Sequence, residues 1–206
     1  MPTAMARRKA AKREQILAAA RRLFLTQGFN GTSMDAVTAE AGVSKQTLYA
    51  YFPTKTDLLA DVLYAGMSEL VLIPPTADEI RSLDDLREHL ITLASRLTTS
   101  LLQPETIALM RLVLGEVFHV AELRQHFREA LPGQVLARTE AMLRQADAHG
   151  ILRVEDPELA SRMFVGPVMT YVALDGFLSA DPAPPPEHTR LVRLVDAFLA
   201  SMGVQP

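Results

Sequence analysis

This sequence predicts an all-α protein in two parts, a small N-terminal three-helix unit followed by a larger helical bundle. Three observations lead there. Apolar residues recur at helical spacing through nearly every segment. No stretch alternates as a strand would, and the one Asn-Gly pair, Asn30-Gly31, lacks alternating flanks and reads as a helix–helix turn. Charge is also unevenly divided. Residues 1–60 carry nine Lys and Arg against four Asp and Glu, whereas residues 61–206 carry twelve against twenty, within a net of −3. A basic end on an acidic body suggests that only that end meets a polyanion.

The elements follow in order. Over residues 14–27, Ile16, Ala19, Ala20, Leu23 and Phe24 share one face, and Gly28 is placed to end the helix. The basic stretch 7–13 before it reads as an arm or a solvated tail. Thr32 can cap a second helix with Asp35 in its first turn, and Gly42 stops it. Ser44 caps a third helix to about Tyr51, and Pro53 ends it. Thr54 to Asp57 resembles a capping box that opens a fourth, carried by Leu58, Leu59, Val62, Leu63 and Leu70. Pro74-Pro75 is a break. A helix over 82–102 shows the stripe Leu86, Leu90, Leu93, Leu97 and Leu101. Pro104 opens another to about residue 120. Residues 122–149 read as helical but hold Pro132-Gly133, so they form one kinked helix or two. Pro157 sits at the first position after Asp156 and opens a long helix to about residue 178, with Gly166-Pro167 predicting a kink. Residues 180–187 form a proline-rich loop, and a last helix covers about 188–202.

Composition narrows the function classes. With 206 residues, 49% hydrophobic and 22% charged, the chain has the balance of a globular protein. It has no cysteine, which excludes disulfide scaffolds, Cys-ligated zinc and thiol catalysis, and fits a cytoplasmic setting. No run reaches the ~18 apolar residues of a membrane span, and Arg21-Arg22 interrupt the first apolar run, so no signal-peptide core is predicted. Hydrolase and nucleotide-binding motifs are absent from the sequence, and no cofactor or enzymatic activity is expected. Glu116-x-x-His119 with Glu122, His126 and Glu129 has metal-like spacing. A di-metal helical site needs a second such motif, so these read as solvated positions.

The informative stretch is 32–52. Two short helices meet at the tight turn Gly42-Val43-Ser44, with Val37, Ala41, Val43 and Leu48 as apolar anchors, which is a helix-turn-helix pattern. The second helix exposes Ser44, Lys45, Gln46, Thr47, Tyr49 and Tyr51, types that donate to phosphates or base edges. Helix N-termini at Thr32, Ser44 and Thr54 supply free N–H groups and partial positive charge, with Lys45 and Lys55 beside two of them.

These residues resemble the DNA-binding domain of the TetR/AcrR (tetracycline-repressor-like) family. The resemblance rests on Ile16 to Ala20, Leu23-Phe24, Gly28-Phe29, Thr32-Ser33, Ala41 to Ser44, Thr47 to Tyr49, and Tyr51 to Pro53 with Lys55 and Leu58-Leu59. Gln46 departs from the small residue usual there, which marks it as a reader particular to this chain. The resemblance implies phosphate contacts from Thr32 or Ser33, Tyr49 and Lys55, and base contacts from Lys45, Gln46 and Thr47. It places a DNA-binding domain over 12–72, with the motif at 35–54, and a sensing and dimerisation domain over 76–206.

The long helix at 156–178 is apolar nearly all round and must be covered on two sides. The resemblance implies that it pairs with the last helix in a two-fold dimer, through Val172, Phe177, Leu191, Leu194, Val195, Phe198, Leu199 and Met202. It also implies a pocket for a small hydrophobic effector. Met67, Met110, Leu114 and Phe118 are candidates from the middle of the chain, and Met142, Phe164, Met169 and Tyr171 from further on. The expected function is a homodimeric repressor that leaves a palindromic operator when the effector binds. A transcriptional activator, or a helical carrier or enzyme for apolar molecules, is the alternative reading.

Overall fold

The computed structural model describes residues 4–70, 80–116, 124 and 131–203, and every regular element among them is helical. The chain divides into two compact units. The first is built from α1 (Ala4–Gly31), α2 (Met34–Ala41), α3 (Lys45–Tyr51) and α4 (Lys55–Leu70), together with α6 (Pro104–Glu116) from Ala108 onward. The second is built from α5 (Leu83–Leu101), the start of α6, α7 (Leu131–Ala148), α8 (Pro157–Thr170) and α9 (His188–Ser201).

In the first unit α1 begins ten residues before the expected start and absorbs the basic stretch 7–13. Its opening turns hold Ala, Lys and Arg, all strong helix formers, so local propensity extends the helix beyond its apolar face. Gly28 takes φ 72° and ψ 169°, yet helix resumes through Gly31, so this glycine breaks α1 without ending it. The cap of α2 is Ser33, not Thr32: its hydroxyl accepts from the Ala36 N–H at 3.0 Å. Thr32 is buried, with its hydroxyl donating to the Gly28 carbonyl at 2.9 Å. Gly42, at φ 59°, closes α2 in the left-handed conformation. Ser44 caps α3 through the Thr47 N–H at 3.1 Å. Thr54 and Asp57 form the reciprocal pair that opens α4. The Asp57 N–H donates to the Thr54 hydroxyl, and the Thr54 N–H to the Asp57 carboxylate, both at 3.0 Å. The core gathers Ile16, Ala20, Phe24, Val37, Leu48, Phe52, Leu58, Leu59 and Leu63. Gly66 lets α4 close on Leu109, whose side chain a Cβ there would strike.

In the second unit the predicted stripe of α5 is buried at all five positions. Ser82 caps it through the Asp85 N–H at 3.1 Å. Helix α7 lies along α8, and α9 lies against α5, where Arg87 Nε meets Asp196 Oδ1 at 2.6 Å. The Phe164 and Phe198 rings stand 5.5 Å apart between α8 and α9. The long helix expected over 156–178 is not uniform. Asp156 caps α8 through the Leu159 N–H at 3.0 Å, and after Thr170 the chain widens into a π-helical segment, Tyr171–Phe177. Pro167 lies inside α8, and the change of helix type falls about a turn beyond it. The expectations for Pro74-Pro75 and for the cluster around His119 and His126 lie outside the described residues, as does most of 117–130. Pro132 falls in the first turn of α7, where its missing N–H costs nothing. Among the described residues, no helix is long and apolar enough to cross a membrane.

Candidate nucleic-acid interface

Helix α3 is short, and one residue fixes it. Leu48 is fully buried, so the opposite face turns outward and exposes Lys45, Gln46, Tyr49 and Ala50. Ser44 is exposed, and Thr47 and Tyr51 are half-buried. These positions differ in how committed their polar groups are. Ser44 and Thr47 face each other with hydroxyls 2.8 Å apart, beside the capping bond. Lys45 Nζ lies 2.8 Å from the Asp35 carboxylate of α2. That bond raises the Lys45 ammonium above the ordinary lysine pKa, so it stays charged. The Tyr51 hydroxyl donates to the Lys9 carbonyl of α1 at 3.3 Å. The Gln46 and Tyr49 side chains make no hydrogen bond to another described residue.

Three capped helix starts belong to this unit, at Ser33, Ser44 and Thr54, each with N–H groups directed out of the first turn. The unit is braced behind them. The Gln15 amide donates to the Ala41 carbonyl at 2.7 Å, Arg22 pairs with Glu40 at 2.9 Å, and Arg13 pairs with Asp61 at 2.7 Å. Arg7, Arg8 and Lys9 lie exposed on α1, on helix rather than on a loose arm.

Two of the expected phosphate ligands are placed otherwise. Thr32 is buried and bonded within the chain, which leaves Ser33 as the exposed residue of that pair. Lys55 donates to the carbonyls of Phe29 at 2.8 Å and Thr32 at 3.0 Å, and its ammonium sits 4.3 Å from the Phe29 ring centroid. It closes the end of α1. Asp35 was missed as a member of the site, although its place ten residues before Lys45, in the first turn of a neighbouring helix, was a signal.

The residues expected in the body are scattered. Met110 is buried and Leu114 half-buried in the first unit; Met142 and Phe164 are buried, and Met169 and Tyr171 half-buried, in the second. Met67 and Phe118 fall outside the described side chains. Of the residues expected at a two-fold interface, Val172, Leu191, Val195, Phe198 and Leu199 are buried within their own chain, and Phe177, Leu194 and Met202 are half-buried. The exposed large apolar side chains of this region are Leu159 and Met163 on α8, and Leu174 and Leu178 in and just after the π-helical segment. A cleft of about 370 Å³ opens beside the first two, lined also by Arg153, Asp156, Ser201 and Met202.

Residues 16–62 match the family described as bacterial regulatory proteins, tetR family. Residues 88–203 match the C-terminal domain of AefR-like transcriptional repressors. The chain is 29% identical over 154 residues to the HTH-type transcriptional repressor SCO4008 of Streptomyces coelicolor, covering 71% of this chain and 70% of that protein. Other curated relatives are matched over 31–41% of their own length. Among solved structures, a TetR transcriptional regulator from Agrobacterium tumefaciens superposes with a TM-score of 0.76 at 25% identity, covering 93% of this chain and 94% of that one. The flavonoid-responsive regulator FrrA superposes with a TM-score of 0.74 at 29% identity, covering 94% and 95%.

Proposed function

The chain belongs to the TetR family of bacterial regulatory proteins, and on that premise we propose that it is a repressor, dimeric on a palindromic operator and released by a small hydrophobic effector. That it is a DNA-binding regulator of transcription follows from the family. The observation that carries the reading of its DNA contacts is the outward face of α3, held by the buried Leu48 and ending in the exposed Gln46 and Tyr49. On this reading Lys45, Gln46 and Thr47 enter the major groove. Ser33, Ser44 and Tyr49 contact phosphates, with helix N–H groups supporting them. Gln46 suits adenine, whose N6 and N7 it can meet with both ends of its amide.

The likeness to AefR-like repressors over residues 88–203, and to a named repressor over 71% of this chain, supports repression. The four exposed apolar side chains of α8 and the segment beyond it support a two-fold dimer, since a stripe of that kind needs a cover. Two readers one DNA turn apart then fit a palindrome. FrrA is named for its response to flavonoids, and its likeness supports an aromatic apolar effector for this chain. The test is selection of duplexes from a random library, followed by titration of the enriched site over salt and with flavonoids. Selective binding that weakens steeply with salt, and is relieved by a ligand that also raises the melting temperature, supports the reading. Failure to enrich any sequence removes it.

A further inference from the structure

We propose that Asp175 is a positioning residue for self-association: its carboxylate, kept out of the core, makes the helix take up an extra residue, and this turns Leu178 out onto the face that a second copy covers. This rests on the two-fold dimer proposed above. Helix α8 buries Ala160, Ser161, Phe164, Val165 and Val168. An α-helix returns to nearly the same side after about two turns, or seven residues, and to the same side after about five turns, or eighteen residues. Continued unchanged, α8 would carry Asp175, seven residues beyond Val168 and fourteen beyond Ser161, into the middle of that buried face. It would turn Gly176, eighteen beyond the exposed Glu158, outward, and Leu178, eighteen beyond the buried Ala160, inward. All three are the other way round: Asp175 and Leu178 are exposed, and Gly176 is buried.

The π-helical segment makes the exchange. The Leu178 N–H donates to the Ala173 carbonyl at 3.0 Å, five residues back, so this turn holds about one residue more than an α turn. Gly176 thereby takes the place against Leu102 and Ile107 that Asp175 would have had. The fit is close, since a Cβ there would lie 2.7 Å from the Leu102 side chain. Leu102 and Ile107 are buried and apolar, and offer a carboxylate no donor, so an ionised Asp175 in that place would be strongly unfavourable. The same extra residue leaves Leu178 in water, where burial would have stabilised it. It joins Leu159, Met163 and Leu174, the other large exposed apolar side chains described in this unit. A second copy is the occupant because it brings the same four side chains, and a two-fold interface covers both sets at once.

The experiment uses the full chain with Asp175→Leu, which can enter the core, and with Asp175→Asn, which still has a polar group to keep out. Both, and the unaltered protein, are also made with Gly176→Ala. The dimer dissociation constant is read by sedimentation equilibrium, and the urea midpoint at one protein concentration. Asp175→Leu is expected to let α8 run on as α-helix. Its dimer then weakens by about tenfold or more, for one leucine lost from the face of each copy, while Asp175→Asn keeps the parent's constant. Gly176→Ala lowers the midpoint of the unaltered protein and of Asp175→Asn, because its methyl group strikes Leu102. In Asp175→Leu, where residue 176 faces water, it leaves the midpoint unchanged or raises it. An unchanged dimer constant in Asp175→Leu overturns the proposal. So does a Gly176→Ala penalty that persists there, which would mean that the register is set elsewhere. If Asp175→Leu precipitates, Asp175→Ala takes its place with the same readings. An unaltered protein that sediments as a monomer is a different result. It strikes the dimer reading, while the urea midpoints still decide whether Asp175 sets the register.

Discussion

Lys55 gives its ammonium to two backbone carbonyls at the end of α1, those of Phe29 and Thr32. The Phe29 carbonyl also accepts from the Thr32 N–H at 3.3 Å, and the ammonium adds a charged donor, the stronger kind. Replacing Lys55 by Met is therefore expected to cost on the order of 2 kcal/mol of stability, read as a shift in the urea midpoint. The salt slope of DNA binding should stay the same. A slope shallower by about 0.9 would instead mark Lys55 as a phosphate ligand. Gln46 is the opposite case, exposed and bound to nothing else described. For Gln46→Ala the expected loss is about 1–3 kcal/mol of discrimination at one base pair, with random-DNA affinity unchanged. Repeating the library selection with the variant checks it: the preference at one position per half-site should relax. The face of α3 was legible because one buried leucine in a seven-residue helix leaves little choice of orientation. The role of Lys55 was not, since a lysine near a helix start serves a phosphate or a carbonyl equally well until the fold brings Phe29 near.

Four helix starts were legible, because caps are local chemistry. Ser44, Ser82, Asp156 and the Thr54–Asp57 pair all act where the sequence places them. Thr32 and Ser33 could not be separated that way, as either hydroxyl can cap; burial of Thr32 against the Gly28 carbonyl decides between them. The π-helical turn was hidden for a similar reason, since residue spacing reports which residues are apolar but not how many each turn holds. Close approach between elements is equally silent in sequence, and Gly66 tests it. Alanine there gains about 1 kcal/mol in helix propensity but loses about 1–3 kcal/mol by overpacking against the buried Leu109. Gly66→Ala is thus expected to destabilise the parent and to become neutral or stabilising in a Leu109→Ala background. A cycle of urea midpoints reads the change of sign. Between α5 and α9, the Arg87 guanidinium bonded to Asp196 lowers that carboxyl below the ordinary 3.8. A depressed carboxyl stabilises the fold at pH above its unfolded value, and that contribution fades as pH falls through the folded one. Acid titration of Asp196→Asn should therefore show a shallower loss of stability below about pH 4 than the parent shows.

Assembly is the property of the whole molecule that the sequence leaves most open. A helix apolar on both faces announces that two covers exist, but spacing does not tell which face meets the chain's own core. Val172, Leu191, Val195, Phe198 and Leu199 went to the core, and Leu159, Met163, Leu174 and Leu178 were left outside. Leu159 and Met163 lie about one turn apart on α8, and Leu174 and Leu178 follow four residues apart in and just after the π-helical segment. Asp175 and Arg162 lie exposed near them, as suits the polar rim of an interface. If a second copy covers this stripe, charge placed in it must separate the copies without unfolding either. Leu174 and Leu178 are 64% and 67% exposed, so Leu174→Asp with Leu178→Asp should leave the melting of the isolated chain nearly unchanged. Sedimentation should then report a monomer where the parent is a dimer. Operator affinity should fall by orders of magnitude, because one reader loses the effective concentration that its mate supplies, while random-DNA binding per chain changes little. Leu191→Asp is the contrast. It sits at 1% exposure in the chain's own core, so it should unfold the second unit rather than merely part a dimer. A double Asp variant that still sediments as a dimer would move the interface elsewhere, and would leave these four side chains needing another partner.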